Sequence, residues 1–264
     1  MTPPDGAMFC RRFSAETEAL ASVWSDSAMS TEDWRPTGRK WPTNSQPLEV
    51  VNANNIRGVA KPGALISDRC LRAAHEKIAA DLAYVLGLPV PPVILWDRGD
   101  AFVGDRYCAI SMMAFTKDNE WDGAAPHLTA DQISQAMFAA GAMTAFDTWL
   151  AASDRKTNHV LVDDNGDQAT LGLAYIDYAF SMSYEWLIGQ GGTGAEPRPT
   201  YPDKIGFSLN ATRSVVEAIE KIDESVITKI VNRIPASYFI DNAEGVILSA
   251  LLMRRTLLRS WLGL

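Results

Sequence analysis

Short apolar runs dominate the first part of the chain, and they are typical of strands. Leu48–Val51 and Ile56–Ala60 flank the turn-forming stretch 52–55, and this pattern predicts a β-hairpin. Val90–Trp96 and Ala109–Met113 are further apolar runs of strand length. The pattern therefore predicts a small antiparallel sheet in this part of the chain.

One helix is predicted within this sheet region, over Asp68–Leu86. Ser67 can cap its N-terminus, and Gly87 followed by Pro89 marks its end. Apolar residues recur at helical spacing along one face, whereas another face carries small residues with Glu76 as the one acid among them. Such a face can approach another backbone closely and present a carboxylate to it. By spacing alone, however, a solvated acid on a polar face is the more common case.

Longer helical patterns occupy the second part of the chain. Thr129 and Gln132 have the spacing of a capping box and predict a helix over residues 130–152. Its alanine, methionine and phenylalanine content predicts that this helix is buried. Ser214–Arg233 and Ala243–Trp261 each predict one more helix.

The change in pattern near Phe115 predicts an α+β protein with two lobes. Residues 36–114 are predicted to form a small lobe with an antiparallel sheet and one helix. Residues 115–264 are predicted to form a mainly helical lobe. Residues 1–35, with a short helix predicted over Ser14–Trp24, are predicted to be an extension that lies on the main domain.

A second predicted hairpin carries the candidate chemistry. Its apolar runs are His159–Val162 and Leu171–Ile176, and a turn rich in Asp, Asn and Gly joins them. A polar loop with Asp154 and Asn158 precedes the first run, and the second run ends on Asp177. Phosphoryl transfer uses one acid to orient the attacking hydroxyl, and an amide with a second acid to hold Mg²⁺. On spacing alone, a polar loop beside a solvated strand end is an equally good interpretation.

The order of charged residues along the chain favours a kinase. Lys61 ends an early strand, Glu76 lies on the next helix, Asp154 and Asn158 share a later loop, and Asp177 ends a later strand. Protein-kinase-like folds carry these parts in this order. Each residue is a weak indicator by itself, because charged residues at strand ends are common.

Composition and charge limit the other classes of function. The formal net charge is −8, from 24 basic and 32 acidic residues, and no basic run stands out, which argues against a general nucleic-acid binder. The three cysteines are widely spaced and suit a reducing compartment. The N-terminus lacks the pattern of a signal peptide, and arginines interrupt the most apolar stretch, Val246–Leu262. We therefore expect a cytoplasmic protein without a membrane span.

Other motifs add little. Gly189–Gly194 matches G-x-G-x-x-G, but the proline-rich sequence after it cannot begin a helix, so the motif predicts a surface loop. The chain contains no G-x-S-x-G, H-E-x-x-H or C-x-x-C motif. Its three histidines lie far apart in sequence and predict no metal cluster.

The sequence also resembles a known family, the HipA-like kinases, from about Gly38 to Leu262. These proteins share their fold with the phosphatidylinositol 3- and 4-kinases. The similarity to the family's small lobe rests on Gly38–Arg39, Val59–Pro62, the helix with Glu76, and Leu86–Pro92. The similarity to its catalytic core rests on Phe146–Leu150, Ser153–Arg155, Asn158 and Ile176–Tyr178.

The resemblance implies a kinase that uses ATP and Mg²⁺. It implies that Lys61 binds the phosphates of ATP and that Glu76 holds Lys61 in place. It further implies that Asp154 is the catalytic acid, and that Asn158 and Asp177 hold Mg²⁺. The hinge that contacts adenine would lie in the Ala109–Met113 run, which ends with Ser111, Met112 and Met113.

Two departures from the family pattern keep alternatives open. Asp154 and Asn158 are four positions apart, where the family usually has five, and Lys156 follows Arg155 where a histidine or small turn residue is common. The loop therefore follows a different path from the loop of the family, or it binds the metal more weakly.

The leading interpretation of the sequence is a Ser/Thr protein kinase. The alternatives are a non-catalytic, pseudokinase-like nucleotide-binding module, or a lipid or small-molecule kinase, which the negative charge mildly disfavours. A toxin role does not follow, and the acceptor and the oligomeric state stay open.

Overall fold

The structure is a computed structural model that confirms the predicted α+β class. It describes residues 6–42, 46–62, 71–99, 106–152, 154–164, 169–182, 205–239 and 243–264. Within these residues a five-stranded sheet lies in the first half of the chain, and a three-stranded sheet with most of the helices lies in the second half. No helix in these ranges is long and apolar enough to cross a membrane.

The five-stranded sheet is antiparallel throughout, with the strand order β1-β2-β3-β5-β4. The predicted hairpin is confirmed, since Leu48 pairs with Ala60 across β2 and β3. The segment around Gly38, where the sequence analysis identified no strand, forms the edge strand β1. Every position of β1 is exposed, so no alternation of apolar and polar residues marks it in the sequence. The strands are β1 Arg35–Lys40, β2 Leu48–Val51, β3 Arg57–Pro62, β4 Val93–Asp97 and β5 Tyr107–Met112.

The two faces of this sheet are covered by different helices. Ile94 and Ile110 pack in one apolar cluster with Trp24 and Trp34, which belong to the N-terminal part of the chain. Leu95 and its neighbours on the other face join the main core, together with helix α2. The sheet is therefore enclosed between the N-terminal helix α1 (Ala15–Trp24) and α2 (Leu71–Val85).

Helix α2 is buried on more than one face. Its small residues Ala73, Ala80 and Ala83 are at most 3% exposed, and Glu76 beside them is only 5% exposed. The interpretation of Glu76 as a solvated acid is therefore wrong. Gly87 ends the helical segment with φ +68°, as its position predicted, whereas the predicted start at residues 67–70 lies outside the described residues.

The second lobe contains the remaining helices. The capping box of Thr129 and Gln132 is present and begins a buried helix, as predicted. The single helix predicted over Ser214–Arg233 is wrong. Two helices replace it, because Asp223 accepts a hydrogen bond from the backbone N–H of Ser225 (2.8 Å) and caps a new helix. The helices are α3 Trp121–Ala124, α4 Ala130–Leu150, α5 Leu209–Lys221, α6 Glu224–Asn232 and α7 Ala243–Leu262.

The second sheet contains the predicted second hairpin. Val160 pairs with Tyr175, and a strand that we did not predict adds to the outer edge of the hairpin. The strand formed by the second apolar run ends at Tyr175. Asp177 therefore lies two residues beyond this strand, and the prediction that Asp177 ends it is wrong. This aspartate has an unusual backbone conformation. Its φ of +68° is in the left-handed region. The strands are β6 Asp118–Glu120, β7 Val160–Asp163 and β8 Leu173–Tyr175.

Helices α4 and α5 pack closely against each other at a glycine. A Cβ atom on Gly141 of α4 would lie well inside van der Waals contact with the carbonyl oxygen of Ser208, which caps α5. The hydroxyl of Thr212 also donates a hydrogen bond to the carbonyl of Gly141 (2.9 Å). The crossing therefore requires a residue without a side chain at this position.

We predict that Gly141→Ala lowers the free energy of unfolding by about 2–3 kcal/mol, because backbone atoms must move to admit the methyl group. Urea unfolding followed by circular dichroism measures this change. The matched control is Gly245→Ala in α7, where an added Cβ meets nothing within 4 Å. This control should be neutral or stabilising by up to about 1 kcal/mol. Equal effects of the two substitutions would contradict the close packing at Gly141.

Candidate active site

A mostly buried lysine joins the two lobes. Lys61 extends from β3, and its Nζ atom lies 2.7 Å from Oε1 of Glu76 on α2 and 3.4 Å from Oδ1 of Asp177 after β8. Sheet pairing fixes the lysine, because Lys61 lies opposite Ala109 in β5. The predicted proximity of Glu76 to Lys61 is therefore present, and Asp177 lies with them.

The electrostatics of this cluster favour the charged forms of Lys61 and Asp177. Burial opposes the ammonium of Lys61, but the carboxylates of Glu76 and Asp177 outweigh burial, and the pKa of Lys61 is raised. Burial alone would raise the pKa of Asp177. The positive charges of Lys61 and Arg155 outweigh this effect and lower the pKa to about 2. The cleft therefore holds a compensated set of charges.

Arg155 anchors the segment that carries Asp177. It donates two hydrogen bonds to the carboxylate of Asp147 in α4, at 2.9 and 3.1 Å, and both side chains are fully buried. It also donates to the carbonyl of Ile176, and the N–H of Ile176 donates to the carbonyl of His159 (2.9 Å). Arg155 thus ties α4 to the residue directly before Asp177. The sequence showed Arg155 beside Asp154 without revealing this contact.

Asp154 and Asn158, the candidate catalytic acid and amide, lie on a tight loop. Residues 157–159 form a 3₁₀ turn, and the hydroxyl of Thr157 donates to Oδ2 of Asp122 in α3 (2.7 Å). Asp154 is 38% exposed and forms an ion pair with the exposed Lys156, with 2.7 Å between Nζ and Oδ1. Asn158 is exposed. The shorter loop is therefore accommodated by a turn that leaves both candidate residues accessible.

His159 is a site residue that the sequence analysis did not single out. Its Nε2 atom lies 3.7 Å from Oδ2 of Asp177, and its side chain is only 10% exposed. Burial lowers the pKa of His159 to about 4, against the opposite effect of Asp177. The positive charges of Arg155 and Lys61 lower this pKa further, and the negative charge of Asp154 raises it. Because His159 follows Asn158 directly and begins the apolar run, its position in sequence suggested only a strand residue.

The residues that were predicted to contact adenine lie in strand β5 or directly after it. Ser111 and Met112 lie in β5, between β3 and β4, and Met113 follows the strand. The backbone N–H of Met112 donates to the carbonyl of Pro92 (2.9 Å), so this donor is used within the protein. Adenine binding at this strand stays a prediction. The motif Gly189–Gly194 lies outside the described residues.

Mg²⁺ is the metal that we expected Asp177 and Asn158 to hold, and this assignment stays a prediction. Within the described residues no three His, Cys, Asp or Glu side chains form a group that could hold a metal ion. Mg²⁺ bound together with phosphates needs only one or two protein carboxylates, however, and otherwise keeps water or phosphate oxygens. Asp177 is 31% exposed and supplies a charged carboxylate, and Asn158 supplies an exposed amide.

Two lobes with a lysine–glutamate pair from the sheet and the helix of the smaller lobe define a protein-kinase-like fold. A solved structure with this fold is that of CtkA, a proinflammatory kinase of Helicobacter pylori, with a TM-score of 0.56 and 13% sequence identity. The match covers 89% of this chain and 96% of that one, and at this identity it shows the fold alone. No protein-family model and no curated protein matches the chain.

Helix α2 makes a further contact with the segment after Asp177. His75, which directly precedes Glu76, is buried, and its Nδ1 atom lies 3.2 Å from the carbonyl oxygen of Ala179. Burial lowers the pKa of His75 from its ordinary value of 6.5 to about 4. The neutral imidazole is therefore the form that the folded protein favours.

We predict that this histidine makes the fold less stable in acid. Its pKa is lower in the folded than in the unfolded protein, so its contribution is complete above pH 6.5 and is lost as the pH falls toward 4. The free energy of unfolding should fall in this window by about 1 kcal/mol per pH unit for this residue. Urea titrations of the wild type and of His75→Gln, which does not titrate, measure the difference. An unchanged slope in the variant would contradict a neutral, buried His75.

Proposed function

We propose that this protein is a phosphotransferase that uses ATP and Mg²⁺ to phosphorylate a hydroxyl group, as a HipA-like Ser/Thr protein kinase. The observation that carries the proposal is the contact of Lys61 with both Glu76 and Asp177. Kinases use a strand lysine, paired with a helix glutamate, to bind nucleotide phosphates, and an aspartate of the other lobe to hold the metal. The similarity in fold to a kinase supports the same reading.

Lys61 has the environment that a phosphate-binding lysine needs. Its ammonium stays charged because two carboxylates compensate for burial, and its side chain is still 16% exposed toward the cleft. A phosphate group that enters the cleft gains a charge-assisted hydrogen bond to this ammonium. Glu76, whose side chain is 6% exposed, holds the lysine through a contact of 2.7 Å.

Asp154 is the candidate acid for the acceptor. It orients the hydroxyl of the acceptor and takes its proton as the new phosphate ester forms. Its exposure of 38% makes it accessible to a hydroxyl on another molecule. To act in this way, its carboxylate must leave Lys156 or share that contact with the acceptor. In this proposal the acceptor is a protein side chain and the compartment is the cytoplasm.

The oxygens of Asp177 and Asn158 are the groups that would hold Mg²⁺, and the end of β5 with Ser111, Met112 and Met113 would hold adenine. When bound, the metal neutralises phosphate charge as it develops. The residues of the chain position the nucleotide and the acceptor in one cleft. Positioning and electrostatic stabilisation together account for almost all of the catalysis of phosphoryl transfer.

A nucleotide-binding module without transfer activity is the second candidate, and the ion pair between Asp154 and Lys156 favours it. This contact occupies one oxygen of the catalytic acid with a residue that is not usual at that position in the family. A lipid or small-molecule kinase differs only in the acceptor. Incubation with labelled ATP and Mg²⁺, followed by mass spectrometry of the protein, of candidate protein acceptors and of lipids, distinguishes the three.

We predict that Lys61→Ala weakens binding of Mg²⁺-ATP by about 1–3 kcal/mol, which is the range of a charge-assisted hydrogen bond. Isothermal titration calorimetry measures the affinity. Lys221→Ala, which removes an exposed lysine at the end of α5, is the matched control and should bind as the wild type does. Undiminished binding by Lys61→Ala would remove Lys61 from the phosphate site.

We also predict that the two aspartates differ in what they support. Asp154→Asn should abolish transfer and change ATP affinity less than about threefold, because the acid contacts the acceptor and not the nucleotide. Asp177→Asn should remove the dependence of ATP binding on Mg²⁺, because it loses the charged metal ligand. Titrations with and without Mg²⁺, together with single-turnover assays, measure both effects.

The outcome for the wild type decides between the two leading candidates. Binding of Mg²⁺-ATP without transfer to the protein itself, to other proteins or to water would replace the kinase with the nucleotide-binding module. Absence of nucleotide binding would overturn both.

A further inference from the structure

Helix α2 carries a second set of buried charges directly beside Glu76. The side chain of Lys77 is fully buried, and its Nζ atom donates to the carbonyl of Trp24 (2.6 Å) and to Oδ1 of Asp81 (2.8 Å). Trp24 is the last residue of α1, so this contact joins the N-terminal helix to α2. Both hydrogen-bond acceptors of the Lys77 ammonium therefore belong to the protein, and none of its side chain is exposed to solvent.

Arg233 extends this network to the second lobe. It follows α6 directly, and its Nη2 atom donates to Oδ2 of Asp81 (2.8 Å), whose side chain is 3% exposed. It also donates to the carbonyl of Ser25, which caps the end of α1. We call Lys77, Asp81, Arg233 and the carbonyls of Trp24 and Ser25 the buried clamp.

The charged contacts of the buried clamp are suited to fixing the position of α2 relative to α1. Two cations share one carboxylate and two carbonyls at the C-terminal end of a helix, where the helix dipole is negative. Burial disfavours both charged forms, so the pKa of Lys77 is lowered and the pKa of Asp81 is raised. A buried ion pair is a weak source of stability compared with apolar packing. It is sensitive to geometry, however, because a displaced partner leaves an uncompensated charge.

The position of α2 matters because Lys61 has two partners. Its contact with Glu76 is 2.7 Å and its contact with Asp177 is 3.4 Å. If α2 moves outward, Glu76 leaves Lys61, and the lysine keeps only Asp177. The candidate metal ligand would then be occupied by an ammonium group. A fixed α2 therefore keeps Lys61 on Glu76 and leaves the carboxylate of Asp177 accessible.

We propose that the buried clamp holds α2 in the position that pairs Glu76 with Lys61, and that Lys77 and Arg233 are positioning residues for the nucleotide site. In this proposal the end of helix α1 helps to position α2 for nucleotide binding. Helix α1 is therefore not only an extension that lies on the main domain. The effect on nucleotide rests on the proposed function, whereas the effect on α2 does not.

The test compares Lys77→Met in the wild-type background and in the Glu76→Gln background. Calorimetry with Mg²⁺-ATP measures affinity, and hydrogen exchange measures the opening of residues 71–85. In the wild-type background Lys77→Met should weaken binding about tenfold, the usual size of a coupling between sites. In the Glu76→Gln background it should weaken binding less than about twofold, because the pair that it positions is already lost.

Hydrogen exchange supplies the readout without nucleotide. Exchange in α2 should become faster in Lys77→Met, while exchange in the centre of α4 stays unchanged. The matched control is Arg259→Met in α7, which removes an exposed ion pair with Glu220 and lies outside the buried clamp. This control should alter neither affinity nor exchange in α2. If Lys77→Met does not fold, Arg233→Gln takes its place, with the same dependence on Glu76 expected.

Three outcomes distinguish a failure of the buried clamp from a failure of the proposed nucleotide-binding function. Equal losses of affinity in both backgrounds would overturn the clamp, because Lys77 would then act through general stability and not through Glu76. Unchanged exchange in α2 would overturn it even if affinity fell. A wild type that binds no nucleotide overturns the proposed function, and the exchange of α2 in Lys77→Met then decides alone whether the buried clamp holds this helix.

Discussion

The arrangement of the two lobes depends on the compensation of one buried ammonium group. Lys61 belongs to the sheet of the small lobe, Glu76 to its helix, and Asp177 to the segment that leaves the hairpin of the second lobe. A buried charge that loses its partner is costly, so each of these elements is held in place by the other two. Two carboxylates so close together would also repel each other without the lysine between them. The cleft is therefore formed by the same charges that we propose to bind nucleotide.

The position of Asp177 is in turn fixed from within the second lobe. The carboxylate of Asp147 in α4 receives two hydrogen bonds from Arg155, and Arg155 also donates to the carbonyl of Ile176. The planar guanidinium permits this set of contacts in one geometry, which a lysine could not reproduce. The residue next to the candidate catalytic acid thus fixes the segment that carries Asp177, and its role is architectural.

The sequence predicted the features that local patterns encode and missed those that tertiary contacts impose. The first hairpin and the capping box at Thr129 followed from spacing and residue type, whereas the pairing of Glu76 with Lys61 was implied only by the resemblance to a kinase family. The left-handed backbone of Asp177 comes directly after Ile176, the residue that Arg155 anchors, and no local signal in the sequence marks it. Likewise Lys77 is of a residue type that is usually exposed, yet an acid one turn away and the end of α1 allow its complete burial. The roles of the site residues in catalysis stay predictions.

The contacts of Asp177 differ in kind from those of Glu76. The 2.7 Å between Lys61 and Glu76 is a direct, charge-assisted hydrogen bond. The oxygens of Asp177 lie 3.4 Å from Lys61 and 3.7 Å from His159, beyond the limit of about 3.2 Å for a strong hydrogen bond. Asp177 is also far more exposed than Glu76, with 31% against 6% of its side chain accessible. Of the two carboxylates, Asp177 is therefore the one that can change partners at low cost. Glu76 keeps the lysine in place, and Asp177 is the carboxylate that we propose to bind a ligand.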